Sequence, residues 1–196
     1  MKTKLFALIS TWLLAGTVHA GLILDTPILG GALLVVEDGH VQAQFLGSDA
    51  GYFNTLYLDT SSDWGTGKVF DKNSGINSIV DLGYFEAGTE LLFRLYVSNT
   101  GLNFFSGDPT RNSDNLAHAQ AITSALGTTY ITLVGFEDLL GGGDQDYNDF
   151  MFSLTNVIDP PPGAAVPVPV PPVLFLLVTG LAGLLVTRRQ QQADAA

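Results

Sequence analysis

Ala32-Leu33-Leu34-Val35-Val36-Glu37-Asp38-Gly39-His40-Val41-Gln42-Ala43-Gln44-Phe45-Leu46 decides the fold class. Val41, Ala43 and Phe45 alternate with Gln42 and Gln44, which is the period of a strand with one face buried and one face wet. Asp38-Gly39 stands between two apolar runs, and that dipeptide suits the positive-φ positions of a tight turn. The stretch predicts a hairpin of residues 32–36 with 41–46. Further short runs of the same kind lie outward from it, separated by Gly, Asn, Asp and Ser turns: 54–58, 68–70, 78–82, 91–98, 102–105, 117–124, 128–134 and 149–157. Residues 117–122 have the propensity of a short helix. The Thr-Thr-Tyr-Ile-Thr run beyond Gly127 instead offers them a hairpin partner. Many short strands at regular spacing predict an all-β fold, an antiparallel β-sandwich of jelly-roll-like form.

The ends differ from this body. Residues 1–20 carry Lys2 and Lys4, an apolar run, and Val18-His19-Ala20, the three parts of a secretory signal cleaved after Ala20. Residues 159–172 hold Pro160-Pro161-Pro162 and Val166-Pro167-Val168-Pro169-Val170-Pro171-Pro172. Such a run makes neither a helix nor a central strand, so it reads as an extended spacer. Residues 173–187 are apolar and precede Arg188-Arg189, as a short membrane helix with a cytoplasmic basic stop. The expected organisation is a signal (1–20), a β domain (21–158), a linker (159–172) and a C-terminal helix with a basic tail (173–196).

The 196-residue chain has 19 acidic and 8 basic residues and no cysteine. Of the basic residues, only Lys68, Lys72, Arg94 and Arg111 fall in the body. So acidic a body repels a phosphate backbone, which excludes nucleic acid as a partner. Without cysteine, stability must come from the core or from hard, oxygen-ligated cations.

The acids concentrate in Phe136-Glu137-Asp138-Leu139-Leu140-Gly141-Gly142-Gly143-Asp144-Gln145-Asp146-Tyr147-Asn148-Asp149-Phe150. Two carboxylates about 5 Å apart repel by roughly 3 kcal/mol at an effective dielectric near 20. Either the segment is a solvated loop rich in Asx-turns, or a cation sits in it. Asp144, Asp146 and Asn148 have the spacing that opens an EF-hand loop. Asp149 stands where that motif needs Gly, however, and Thr155 where it needs Glu. The expectation is a non-EF-hand calcium site built from Glu137, Asp138, Asp144, Asp146, Asn148 and Asp149, with the glycines letting the backbone fold tightly around it. No catalytic residue is assigned: His40 and His118 are the histidines left after the signal, and neither sits in a recognisable triad. Trp64 with Tyr52 and Tyr57 makes carbohydrate binding the alternative to a non-enzymatic structural role, and an extracellular hydrolase is the third reading.

Two resemblances bear on these stretches. Pro167-Val168-Pro169, the apolar segment and Arg188-Arg189 together resemble the PEP-CTERM sorting signal of exported Gram-negative proteins, with Val168 where the family name has Glu. That resemblance implies transient anchoring in the inner membrane, processing by an exosortase-type enzyme, and a final place on the cell surface or in an extracellular matrix, with exopolysaccharide as a partner. Phe136-Glu137-Asp138 and Gly141 to Phe150 resemble the acidic signature of a domain of unknown function found in bacterial surface proteins. Residues 47–52 and 111–118 are similar to segments of such proteins more loosely. This second resemblance implies a β-rich, calcium-binding domain without enzyme activity.

Overall fold

The computed structural model describes residues 26–59, 67–126 and 129–160. The expected signal, the sorting segment and Trp64 lie outside these residues. In chain order the strands are β1 (Ile28–Leu29), β2 (Leu34–Val35), β3 (Gly39–Gly47), β4 (Asn54–Leu58), β5 (Lys68–Asp71), β6 (Ile79–Phe85), β7 (Phe93–Val97), β8 (Leu102–Phe105), β9 (Ala119–Leu126), β10 (Thr129–Phe136), β11 (Phe150–Thr155) and β12 (Val157–Ile158). One 3-10 turn, Pro109–Arg111, follows β8. Among the described residues the fold is all-β, and every pairing between strands is antiparallel.

Two sheets face each other. One has six strands in the order β1-β9-β10-β11-β3-β6, the other four in the order β5-β4-β7-β8. Val41, Ala43 and Phe45 of β3 turn inward as their alternation predicts. They join Phe136, Phe150, Phe152 and Leu154 against Leu56, Phe70, Phe93 and Leu95 of the smaller sheet. Phe93 meets Phe152 at 4.9 Å between ring centroids, and Phe45 meets Phe70 at 5.5 Å. These tilted contacts add to the burial of large rings, and truncating one such Phe to Ala typically costs about 3–5 kcal/mol.

The predicted hairpin of β9 with β10 forms, pairing Thr129 with Leu126 and Phe136 with Ala119. The predicted hairpin of residues 32–36 with 41–46 does not. β3 pairs instead with β6 and β11, while β2 pairs with β12 and exchanges hydrogen bonds with residues 88 and 89. Leu33, Val35 and Val36 are all buried. An unbroken apolar run belongs covered on both sides rather than in an alternating ladder. The turn chemistry of Asp38-Gly39 is diverted too: the Asp38 carboxylate accepts the Ala87 N–H at 2.8 Å.

β7 also departs from its simple alternation. Arg94, which alternates with the inward Phe93 and Leu95, is itself only 6% exposed. Its Nε donates to Asp59 Oδ2 at 3.2 Å, its Nη1 to Asn103 Oδ1 at 2.8 Å, and its guanidinium lies 4.4 Å from the Tyr57 ring centroid. A planar, multiply bonded guanidinium can be buried in this way because its donors are satisfied. Tyr57 is half-buried beneath this guanidinium.

Candidate metal centre

β10 ends and β11 begins with the pair Phe136 and Phe150, in register and fully buried. This pair clamps the base of the acidic loop 137–149. Glu137 extends the ladder one step further, its N–H donating to His118 O at 2.9 Å. Its side chain is therefore carried into the protein, and Glu137 is 0% exposed.

The loop returns over its own origin. A Cβ on Gly135 would lie 2.1 Å from Tyr147 O, so only glycine lets the chain cross there. The Tyr147 hydroxyl donates to Ala117 O at 3.2 Å, and its N–H to Glu137 Oε1 at 2.6 Å. Gln145 and Tyr147 both take positive φ. This is unusual for residues with a Cβ and points to a loop held by its contacts.

Glu137, Asp144 and Asp146 each place a carboxylate oxygen within 4.8 Å of the others. Asp144 and Asp146 are exposed, so the cluster has a buried floor and an open rim. Glu137 Oε2 is buried without a hydrogen-bond partner. Burial pushes the Glu137 carboxyl above its ordinary range. The Tyr147 N–H opposes that shift, and the charges of Asp149, Asp144 and Asp146 add to it. Three converging carboxylates, one desolvated with an orphan oxygen, are a set that could hold a hard cation.

The remaining expected ligands are placed differently. Asp138 turns to the other side, where its Oδ2 accepts from Asn54 Nδ2 at 2.9 Å. Asp149 Oδ2 accepts the Asp138 N–H at 2.9 Å. The Asp149 carboxyl is raised chiefly by burial, against the pull of that N–H and with the charge of Asp138 adding. Asn54 is fully buried and its Oδ1 also lacks a partner. Asn54, Asp138 and Asp149 thus form a second oxygen-rich group behind the first. Asn148 donates its N–H to Asp146 Oδ1 at 3.1 Å and its carbonyl accepts the Asp49 N–H at 3.1 Å.

An outer brace holds the loop. His118 is buried, stacked on Phe104 at 4.0 Å between ring centroids, with Nε2 at 2.9 Å from Asp114 Oδ2 and Nδ1 at 3.3 Å from Glu137 O. Asp114 also accepts the N–H groups of Gly141 and Leu116. Burial alone would raise its pKa. The hydrogen bonds from Gly141, His118 and Leu116 outweigh that and hold it at about 2. Sequence reasoning missed Asn54, Asp114 and His118 as parts of the site; the only signal was that residues 111–118 and the acidic stretch resembled segments of the same surface proteins. The other histidine among the described residues, His40, pairs with Asp81 at 2.9 Å and meets the Tyr84 ring edge-on.

Residues 31–156 match the family model described as Domain of unknown function (DUF4114). The chain belongs to that family. The matched span runs from β2 through the whole acidic loop to the end of β11. No curated protein matches the chain. Similar solved structures include the C-terminal domain of the BC2L-C lectin from Burkholderia cenocepacia, at 12% identity over 65% of this chain and 97% of that one, with a TM-score of 0.44. They also include the high-affinity mannose-binding lectin of Ralstonia solanacearum, at 14% identity over 63% and 93%, with a TM-score of 0.37.

Proposed function

We propose that this DUF4114 domain is a non-enzymatic, calcium-binding β-sandwich module of an exported surface or matrix protein. The observation that carries the reading is the buried Glu137 carboxylate, which has an unpartnered Oε2 and stands within 4.8 Å of carboxylate oxygens of Asp144 and Asp146. A desolvated carboxylate beside two others is costly alone, and a divalent cation turns that cost into binding energy. Oxygen-only donors and flexible loop geometry favour calcium over magnesium, which demands a tighter octahedron. The cation fixes the ends of β10 and β11 through the loop they share. Export by the N-terminal segment and exosortase-type sorting by the C-terminal one complete this reading, with exopolysaccharide as the surrounding partner.

The test is a melting curve with and without millimolar calcium. Binding to the folded state alone at a hundredfold excess over Kd stabilises by about 2.7 kcal/mol, which is roughly 5–10 °C for a domain of this size. Asp144→Ala with Asp146→Ala abolishes the rise. An unchanged melting temperature in calcium overturns the proposal.

The second reading is a carbohydrate-binding module, favoured by the exposure of Asp144 and Asp146. A cation held from below by Glu137 keeps coordination positions open to solvent, and calcium takes six to eight oxygens. Vicinal sugar hydroxyls fit such positions. Glycan-array binding that chelator removes supports this reading; binding lost in Trp64→Ala and indifferent to chelator assigns it to an aromatic surface instead.

A further inference from the structure

Asp159 ends the described β domain and precedes Pro160. Its N–H donates to Thr123 Oγ1 at 3.0 Å. Thr123 and Thr132 share a hydroxyl hydrogen bond of 2.9 Å, and Thr132 Oγ1 donates to Val157 O. Because Thr132 gives its proton to Val157, the Thr123 hydroxyl must give its own to Thr132, so the relay runs in one direction from Asp159 to Val157. This chain pins the Asp159 backbone to β9 and β10. The side chain goes inward and is left without support: Asp159 is 1% exposed, and neither carboxyl oxygen has a partner. A Cβ on Gly31 would lie 1.9 Å from its Oδ1. The crevice around it is lined by Gly31, Leu33, Ser106, Ala119, Ala121 and Val134, among others, and holds no second titratable group.

We propose that the Asp159–Pro160 peptide bond is a self-cleavage site, cut by the Asp159 side-chain carboxyl. The side-chain oxygen attacks the main-chain carbonyl carbon of Asp159 and closes a five-membered ring. The carboxyl proton passes to the nitrogen of Pro160, the C–N bond breaks, and Pro160 leaves as a secondary amine. The succinic anhydride left at residue 159 is opened by water to a free C-terminal aspartate. The net change is the addition of one water, with no oxidation or reduction.

Two features of the chain favour this bond over the other aspartyl bonds. The bond to proline is a tertiary amide with a weaker trans preference and no N–H, a feature shared with Asp108–Pro109, whose aspartate is exposed rather than buried. The attacking group must also bring a proton, which an ordinary aspartate has lost at neutral pH. Burial raises the Asp159 carboxyl to about 7, so about half of it is neutral at pH 7, against roughly 0.1% for an ordinary aspartate. The pinned backbone and the tight crevice restrict the motion of the acid, and restricted motion of a group next to its target accelerates intramolecular reactions. Cutting here separates the sandwich from everything that follows Pro160.

The test is incubation of the full-length chain at pH 7 and 37 °C, followed by intact-mass analysis. Expected are a fragment ending at Asp159 and one beginning at Pro160, formed at least tenfold faster in the native protein than in urea, where the carboxyl is solvated. Asp159→Asn stops the cut. Pro160→Ala, with an unchanged melting temperature, slows it at least tenfold, because the fold and the acid remain and only the leaving group changes. No fragment, equal rates in urea, or undiminished cutting in Pro160→Ala overturns the proposal.

Discussion

Gly143 lies so close to Glu137 that a Cβ on it would stand 2.5 Å from the Glu137 Oε2 atom. The third glycine of the Gly-Gly-Gly run is therefore a seat for the buried carboxylate. Its φ of 51° adds a conformational demand of about 1–2 kcal/mol for any residue with a Cβ. Gly141 has φ of 87° and nothing within 4 Å of its Cβ position, so it carries the conformational demand alone. Gly143→Ala should lose about 2–3 kcal/mol in urea unfolding, and Gly141→Ala about 1 kcal/mol. Only Gly143→Ala should also shrink the calcium-induced rise in melting temperature, because it displaces a ligand.

Glu137→Gln separates the cost of the site from its use. The amide keeps the shape and can still accept the Tyr147 N–H, while removing a buried charge that faces Asp144, Asp146 and Asp149. Without calcium the variant should be more stable than the parent by about 1–3 kcal/mol, since an uncompensated buried charge is gone. In millimolar calcium the order should reverse. Melting curves of both proteins with calcium and with chelator check this. A variant less stable than the parent under both conditions would show that the charge is already compensated within the protein.

How far the chain could be read without coordinates depends on the range of the forces involved. β3, β4 and the β9–β10 hairpin were legible because alternation and turn chemistry are local. The partner of residues 34–35 was not, because Leu33, Val35 and Val36 are buried by strands from the far end of the chain, and nothing within 32–46 records that. The burial of Arg94 is not written locally for a similar reason: its charge says surface, while Asp59 and Tyr57, distant in sequence, and Asn103 on the next strand make its burial tolerable. In the acidic loop the residue types pointed to a cation. Only the fold separates Glu137, Asp144 and Asp146, which converge, from Asp138, which turns to Asn54.

Asp114 links the loop to acid stability. Its carboxyl sits at about 2 in the folded protein and near 3.9 when unfolded. A depressed acid contributes stability that is fully present above the unfolded value and is lost as pH falls through the folded one, here between about pH 4 and pH 2, amounting to at most about 2.6 kcal/mol. Asp114→Asn should be less stable than the parent at pH 7 by about that amount, and the gap should close by pH 2. Unfolding by urea at stepped pH measures it. A parallel offset at every pH would mean that the lost hydrogen bonds to Gly141 and His118, not the charge, carry the effect.

Asp159 acts in the opposite direction. Its carboxyl is raised by burial to about 7, so the folded state holds a proton that the unfolded state has released above about pH 4. The stability it contributes is complete below the unfolded value and is lost as pH rises through 7, by about 3–4 kcal/mol at most. Between pH 5 and 8 the parent's melting temperature should therefore fall steadily. Asp159→Asn cannot ionise, so its curve should be flat over the same range and cross the parent's. Relocating the group makes a second check: Gly31→Ala puts a methyl where the carboxyl lies and forces the side chain toward solvent, which should flatten the pH profile while residue 159 keeps its carboxyl. A slope that persists in both variants would overturn the assignment of the neutral-pH dependence to Asp159.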